Sequence, residues 1–303
     1  MLNLISIIGP TASGKTKLAA ALAHKLGTSV ISADSRQVYR DMTIGTGKDL
    51  DEYSHFSPPV KYHLIDIKNA GEKFNVFDFQ KNCFEIIHRL NEKNETPVLC
   101  GGTGMYLDSV LLNYKMNLVP EDKSFRVGVK NISMNALNSM LNEFRSQHNT
   151  TDSLNRDRLI RAIEIAKFEA SGQSFKNLKF LVFGIRGDRE ALKNRIEDRL
   201  KYRLENGLIE EVQRLIQAGL KKDDLLYYGL EYKFVGLHLF KDISYNDMYQ
   251  QLRFSIFKFS KKQMTWFRRM EKQGINIHWL DFNDAVEKQL TFVLGHINDY
   301  QEQ

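Results

Sequence analysis

The chain has 303 residues, 42% of them hydrophobic and 26% charged, which suffices for a sizeable core in one large domain or two modest ones. Its two cysteines, Cys83 and Cys100, form no C-x-x-C pair, and no histidine cluster has ligand spacing; neither a disulfide framework nor a zinc module is indicated, and both residues read as buried thiols. The net charge of +6 permits a polyanionic partner without requiring one, and residues 251 to 272, with seven Lys or Arg and one Glu, carry an excess as large as that of the whole chain.

Leu4 to Ile8 is a short apolar run bounded by Gly9, as expected of a central parallel strand covered on both faces. The signal-peptide pattern is not seen before it, and with no apolar run long enough to span a membrane, a cytoplasmic location is expected. Thr16 to Leu26 has helical spacing, and "TSVISAD" supplies the next strand, ending at Asp34. "YHLIDI" (62 to 67) and "TPVLCGG" (96 to 102) read as two further strands, the second after a helix-like stretch from Phe77. Strands alternating with helices imply a parallel α/β sheet.

From about 115 to 178 the text is polar, helical and rich in Asn, Ser and Met, and it reads as a mostly helical insertion. "FLVFGI" (180 to 185) returns to a buried strand. The run from Asp188 to Leu220 predicts one long helix, with Leu192, Ile196, Leu200, Leu208, Val212 and Leu215 near helical spacing. The remainder reads as helical up to "INIHWLD", a last edge strand, and a polar tail. The expected fold is α/β, a P-loop NTPase-like parallel sheet flanked by helices, with a discontinuous core over 1–115 and 179–303 and the helical insertion over 116–178.

"GPTASGKT", Gly9 to Thr16, fits the phosphate-loop pattern G-x-x-x-x-G-K-[ST], with a strand before it and a helix after it. Gly9 and Gly14 let backbone N–H groups turn toward phosphate oxygens, the helix N-terminus adds partial positive charge, and Lys15 adds a full one. Thr16 offers a hydroxyl to Mg²⁺. A nucleotide hydrolase would also want an acid at the end of a neighbouring strand, but "PVLC" runs into "GGTG". Asp34, after another strand, suits a general base acting on a second substrate; a turn or cap residue is the plainer alternative. Thr103 in "GGTG" supplies a hydroxyl at a third strand end, a weak signal alone. Arg195, Arg199 and Arg203 recur every four residues near Glu197 and Asp198, which on spacing alone reads as a solvated, ion-paired helix face. The basic segment interleaves Phe254, Phe257, Phe259, Trp266 and Phe267 with its charges, and composition does not choose between aromatics packed inward and a nucleic-acid footprint.

Taken together, "GPTASGKT", "SADSRQVYRDMTIGTGK", "YHLIDI", "GGTGMYL", "RDRLIRAIEI", "RIEDRL" and "KKQMTWFR" resemble the tRNA dimethylallyltransferases, also called tRNA isopentenyltransferases, in order and spacing from residue 9 to residue 268. "GTGK" and "GLEYKFV" depart from the usual family text. The resemblance implies transfer of a dimethylallyl group from dimethylallyl diphosphate, with Mg²⁺, to N6 of the adenine 3′-adjacent to the anticodon in tRNA. The phosphates held by Gly9, Pro10, Thr11, Ala12, Ser13, Gly14, Lys15 and Thr16 would then be the diphosphate leaving group. Asp34 resembles the family's general base, Thr16 and Arg199 the contacts near the bridging oxygen, and Thr16 the metal contact. Asp34, Ser35, Arg36, Gln37, Thr103, Asp157, Arg158, Arg161, Lys261, Lys262, Gln263 and Trp266 match tRNA contacts around the anticodon stem-loop.

A monomer that needs no membrane is expected. Three rivals remain: a prenyltransferase acting on free adenine nucleotides, a P-loop small-molecule kinase, and a non-catalytic RNA-binding protein.

Overall fold

In the computed structural model of the chain, residues 2–114, 121–144, 155–167 and 178–302 are described. The chain divides into two compact units, Met1–Asn113 with Lys176–Gln303 and, separately, Tyr114–Phe175.

The larger unit begins with β1 (Leu4–Ile8), α1 (Lys15–Leu26), β2 (Val30–Ala33), α2 (Asp51–Ser54), β3 (Tyr62–His63), α3 (Val76–Asn91), β4 (Val98–Gly101) and α4 (Gly104–Leu111). The smaller unit contributes α5 (Lys123–Gly128), α6 (Met134–Phe144) and α7 (Arg156–Lys167). The larger unit then resumes with β5 (Phe180–Arg186), α8 (Arg189–Glu205), α9 (Leu208–Gln217), α10 (Lys222–Tyr227), α11 (Leu230–Leu239), α12 (Tyr245–Lys272), β6 (Ile277–Asp281) and α13 (Val286–Gln301). Among the described residues, no helix is long and apolar enough to cross a membrane.

The strands form one parallel sheet in the order β3-β2-β4-β1-β5-β6. β1, β2 and β4 are buried along their whole length, which is why their text is continuously apolar or small rather than alternating. Ile5, Ile7, Leu18, Leu22, Val98 and Phe183 lie in the core between sheet and helices. Because all strands run the same way, the turns after β1, β2 and β4 emerge at one edge, where parallel sheets hold their ligands. Local chemistry fixes the helix starts: at α3 the Asn75 side chain accepts from Phe77 and Asp78 N–H groups while Asp78 accepts from Asn75 N–H.

Three expectations about elements need correction. "YHLIDI" is a strand only at Tyr62–His63, because the backbone turns left-handed at Leu64 (φ 62°) and Asp66 (φ 55°), where Asp66 meets the buried Lys48 ammonium. The single helix expected from 188 to 220 is two, α8 and α9, broken where Gly207 takes φ 102°. The apolar spacing continues across that break, so periodicity alone passes over it. The polar tail is α13, whose buried Val293 and Ile297 form a narrow stripe on the main core.

The smaller unit has its own core of Val129, Leu137, Leu141, Leu159, Ile160, Ala162 and Ile163. Buried Glu164 accepts from Arg126 Nε at 2.7 Å and Arg161 Nη1 at 2.8 Å, and these bonds, Arg126 foremost, pull its carboxyl down to about 2. Arg156 ties α7 to the turn between α5 and α6 through the carbonyls of Ile132 and Lys130 at 2.7 and 2.8 Å.

Candidate active site

The phosphate loop leaves β1 and enters α1 through Gly14, which caps the helix at φ 85°, a conformation that costs glycine nothing. Ala12 is also left-handed, at φ 62°. The turn therefore bends its amides inward, and the first N–H groups of α1 have no side-chain cap to occupy them. Lys15 Nζ donates to the Pro10 carbonyl at 3.3 Å. Burial pushes its ammonium below the ordinary lysine value, Arg199 adds to that, and Asp34 and Asp49 act the other way. A cation made costly by burial is a strong ligand for an anion that arrives beside it.

Asp34 stands immediately after β2. Its Oδ1 accepts from the backbone N–H of Arg36 at 2.8 Å and of Gln37 at 3.4 Å, while among the described residues its Oδ2 has no hydrogen-bond partner. Both readings of Asp34 thus have a structural basis: one oxygen pins the turn and the other can take a proton. The turn is fastened on two sides. Thr103 Oγ1 accepts from Ser35 N–H at 3.2 Å, and Gln37 accepts from Ser32 Oγ at 2.8 Å and donates to the Gly47 carbonyl at 2.9 Å. Arg36 lies over the ring of Tyr227, 4.7 Å from its centroid.

The arginine stripe on α8 is not a solvated face. Arg195 lies 4.2 Å from the Phe282 ring centroid and donates to the Phe282 carbonyl at 3.0 Å. Arg199 pairs with Asp49, whose other oxygen is 4.0 Å from Arg203 Nη2, and Arg203 Nη1 is 3.5 Å from Glu231. Burial pushes the Arg203 guanidinium down and the Glu231 carboxyl up. Arg199, Arg203 and Glu231 share one small cleft with Thr11 and Ala12, so two of the three arginines face the phosphate loop.

Helix α12 closes the same edge. Gln263 Oε1 accepts from Thr11 N–H at 2.9 Å and its Nε2 donates to the Gly102 carbonyl at 3.0 Å. Trp266 packs over Gly104 and donates to Asp108 at 2.7 Å. Lys261 and Lys262 are exposed. The aromatics of this helix divide, with Phe267 fully buried but Phe254 and Phe259 66% and 43% exposed.

A phosphate loop, a carboxylate and a basic, aromatic helix thus meet at one sheet edge, and the known proteins that match are consistent with it. The family model described as IPP transferase matches residues 37–270, and one described as isopentenyl transferase matches residues 2–66. The chain belongs to the tRNA dimethylallyltransferase family, the IPP transferases. It is 47% identical to tRNA dimethylallyltransferase 1 of Azobacteroides pseudotrichonymphae over 98% of this chain and 96% of that one. It is 51% identical to tRNA dimethylallyltransferase 2 of Pelobacter propionicus over 92% of this chain and 90% of that one. Among solved structures, the tRNA isopentenylpyrophosphate transferase of Bacillus halodurans aligns at a TM-score of 0.71 with 30% identity, covering 99% of this chain and 98% of that one.

In this IPP transferase the structure brings together Gly9–Thr16, Asp34–Gln37, Thr103, Arg199 and the α12 segment Lys261–Trp266. Asp157 and Arg158 are exposed on α7 in the smaller unit, where Arg161 pairs with Glu164. One expectation changes: Gln263, read as a tRNA contact, is buried and spends both ends of its amide inside the protein, joining the phosphate loop to the turn after β4. Sequence reasoning missed Glu211, a buried carboxylate on α9 that accepts from the N–H groups of Thr43, Ile44 and Gly45 and from the Tyr232 hydroxyl. It also missed the roles of Lys48, Asp49 and Glu231; the arginine partners of Asp49 and Glu231 are remote in sequence, so nothing local marks those two acids.

Proposed function

We propose that this chain transfers the dimethylallyl group of dimethylallyl diphosphate to N6 of the adenine 3′-adjacent to the anticodon in tRNA, releasing diphosphate. The observation that carries the reading is the shared edge: the open oxygen of Asp34 and the phosphate loop lie on turns joined through Thr103 and Gln263. The N6 lone pair attacks the primary allylic carbon, the carbon–oxygen bond breaks with its electron pair leaving on the diphosphate, and the N6 proton passes to Asp34. Lys15, Arg199, the Thr16 hydroxyl and the loop amides hold the diphosphate and meet the charge that develops as it leaves.

Mg²⁺ fits this donor set. Among the described residues no group of three or more His, Cys, Asp or Glu forms a metal cage, and Mg²⁺ ordinarily keeps water and substrate phosphates as ligands, so Thr16 at the start of α1 would hold it. When bound, the ion neutralises charge on the leaving diphosphate.

Transfer RNA is favoured over a free nucleotide by α12, whose exposed surface offers Lys261, Lys262, Phe254 and Phe259, where cations meet phosphates and rings meet unpaired bases. The target adenine must leave the anticodon stack for Asp34 to reach its N6. We place the reaction in the cytoplasm. Nucleoside analysis of unmodified tRNA after incubation with the protein, Mg²⁺ and dimethylallyl diphosphate should show one adenosine gaining a five-carbon unit. Unchanged nucleosides would reject the proposal.

A further inference from the structure

Asp49 holds the position that an anion would take between two arginines. One of its oxygens pairs with Arg199 Nη2 and the other lies 4.0 Å from Arg203 Nη2. Arg203 has a second acid, Glu231, at 3.5 Å, whereas Asp49 is the acid in ion-pair reach of Arg199 among the described residues. This bridge is built by the backbone rather than reached by chance. The turn that carries it passes so close beneath the arginine tips that a Cβ at Gly47 would collide with both guanidinium groups, and Gly47 itself is left-handed at φ 63°. Asp49 is left-handed too, at φ 47°, a region that aspartate enters more readily than most residues.

The turn is anchored on both sides. Glu211 accepts three backbone N–H groups from Thr43 to Gly45, and the fully buried Lys48 reaches the Tyr39 carbonyl and Asp66. The Asp49 side chain itself is 39% exposed. Asp49 also acts on the charge of Lys15, so its carboxylate lies within the field of the phosphate loop.

We propose that Asp49 is an internal competitor for the diphosphate subsite and sets a charge threshold for entry: a ligand takes Arg199 only if its charge is enough to displace the carboxylate. Diphosphate meets that threshold and monophosphate does not. The residue thereby makes the site selective for diphosphate esters over monophosphates and eases release of the diphosphate product, because Asp49 returns to Arg199 as it departs. This rests on the reading of Arg199 as a diphosphate ligand.

The test is calorimetric titration of the full chain with inorganic pyrophosphate and with inorganic phosphate, both with Mg²⁺, for wild type, Asp49→Asn, Asp49→Ser and Arg199→Ala. The two Asp49 variants should bind pyrophosphate roughly two- to fivefold more tightly, the scale of a half-exposed ion pair, and should gain more for phosphate than for pyrophosphate. Equal or weaker pyrophosphate binding in both, with Arg199→Ala weakened, would overturn the competitor role and make Asp49 a prop for Arg199. If Arg199→Ala binds as wild type does, the reading of Arg199 itself fails, whatever Asp49 does.

Discussion

Gln263 Oε1 accepts the Thr11 backbone N–H at 2.9 Å across 252 residues of sequence, so the basic helix α12 is fastened to the phosphate loop by its own side chain. The same amide donates to the Gly102 carbonyl, and one residue therefore sets the spacing between two of the three turns that make the site.

Gln263→Ala should therefore act as a structural and diphosphate-site change rather than an RNA-site change. It leaves a buried N–H and a buried carbonyl without their partner, at a cost of roughly 1–3 kcal/mol in urea unfolding. KM for dimethylallyl diphosphate should rise while tRNA affinity, read by filter binding, stays within about twofold.

Asp34→Asn separates the two jobs of Asp34. Asparagine keeps an oxygen for the Arg36 N–H but cannot take a proton. Transfer should fall by roughly 10²–10⁴-fold with tRNA and diphosphate binding intact, as measured in single-turnover assays beside binding assays. Full activity in this variant would leave Asp34 a turn residue only.

Lys261→Ala and Lys262→Ala remove exposed charges from α12 without touching its packing. Each should weaken tRNA binding for all sequences alike and lower the salt dependence of log K by about one unit, with KM for dimethylallyl diphosphate unchanged.

The smaller unit should be acid-sensitive through Glu164. Its carboxyl titrates at about 2 when folded against an ordinary 4.5, so between those values the unfolded chain binds more protons and stability rises with pH. The contribution is present above about 4.5 and is lost as pH falls toward 2. In Glu164→Gln, helical circular dichroism followed through that window should lose part of the acid limb that wild type shows.

What the sequence displays depends on how local each signal is. The phosphate loop, Asp34 and Thr103 all sit where an apolar strand stops, and the strand text and the residue after it are contiguous, so both strand and turn can be read together. The break at Gly207 escapes because the apolar positions on either side keep helical register, and α13 escapes because its buried Val293 and Ile297 and its partly buried Leu290 and Leu294 are interspersed with polar residues. Glu211 and Asp49 were invisible for another reason: Glu211 meets Gly45 across 166 residues and Arg199 meets Asp49 across 150. A carboxylate carries no mark of a partner that far away. The arginine stripe misleads on spacing alone, since a periodic row of charges looks the same whether it faces water or a phosphate loop.

The most direct test of the central claim is transfer of radiolabelled dimethylallyl diphosphate, with Mg²⁺, to unmodified bulk tRNA and in parallel to AMP. The account predicts label in tRNA, abolished in Asp34→Asn, and none in AMP. Label in AMP alone would contradict the RNA partner, and label in neither would contradict the prenyl-transfer reaction itself.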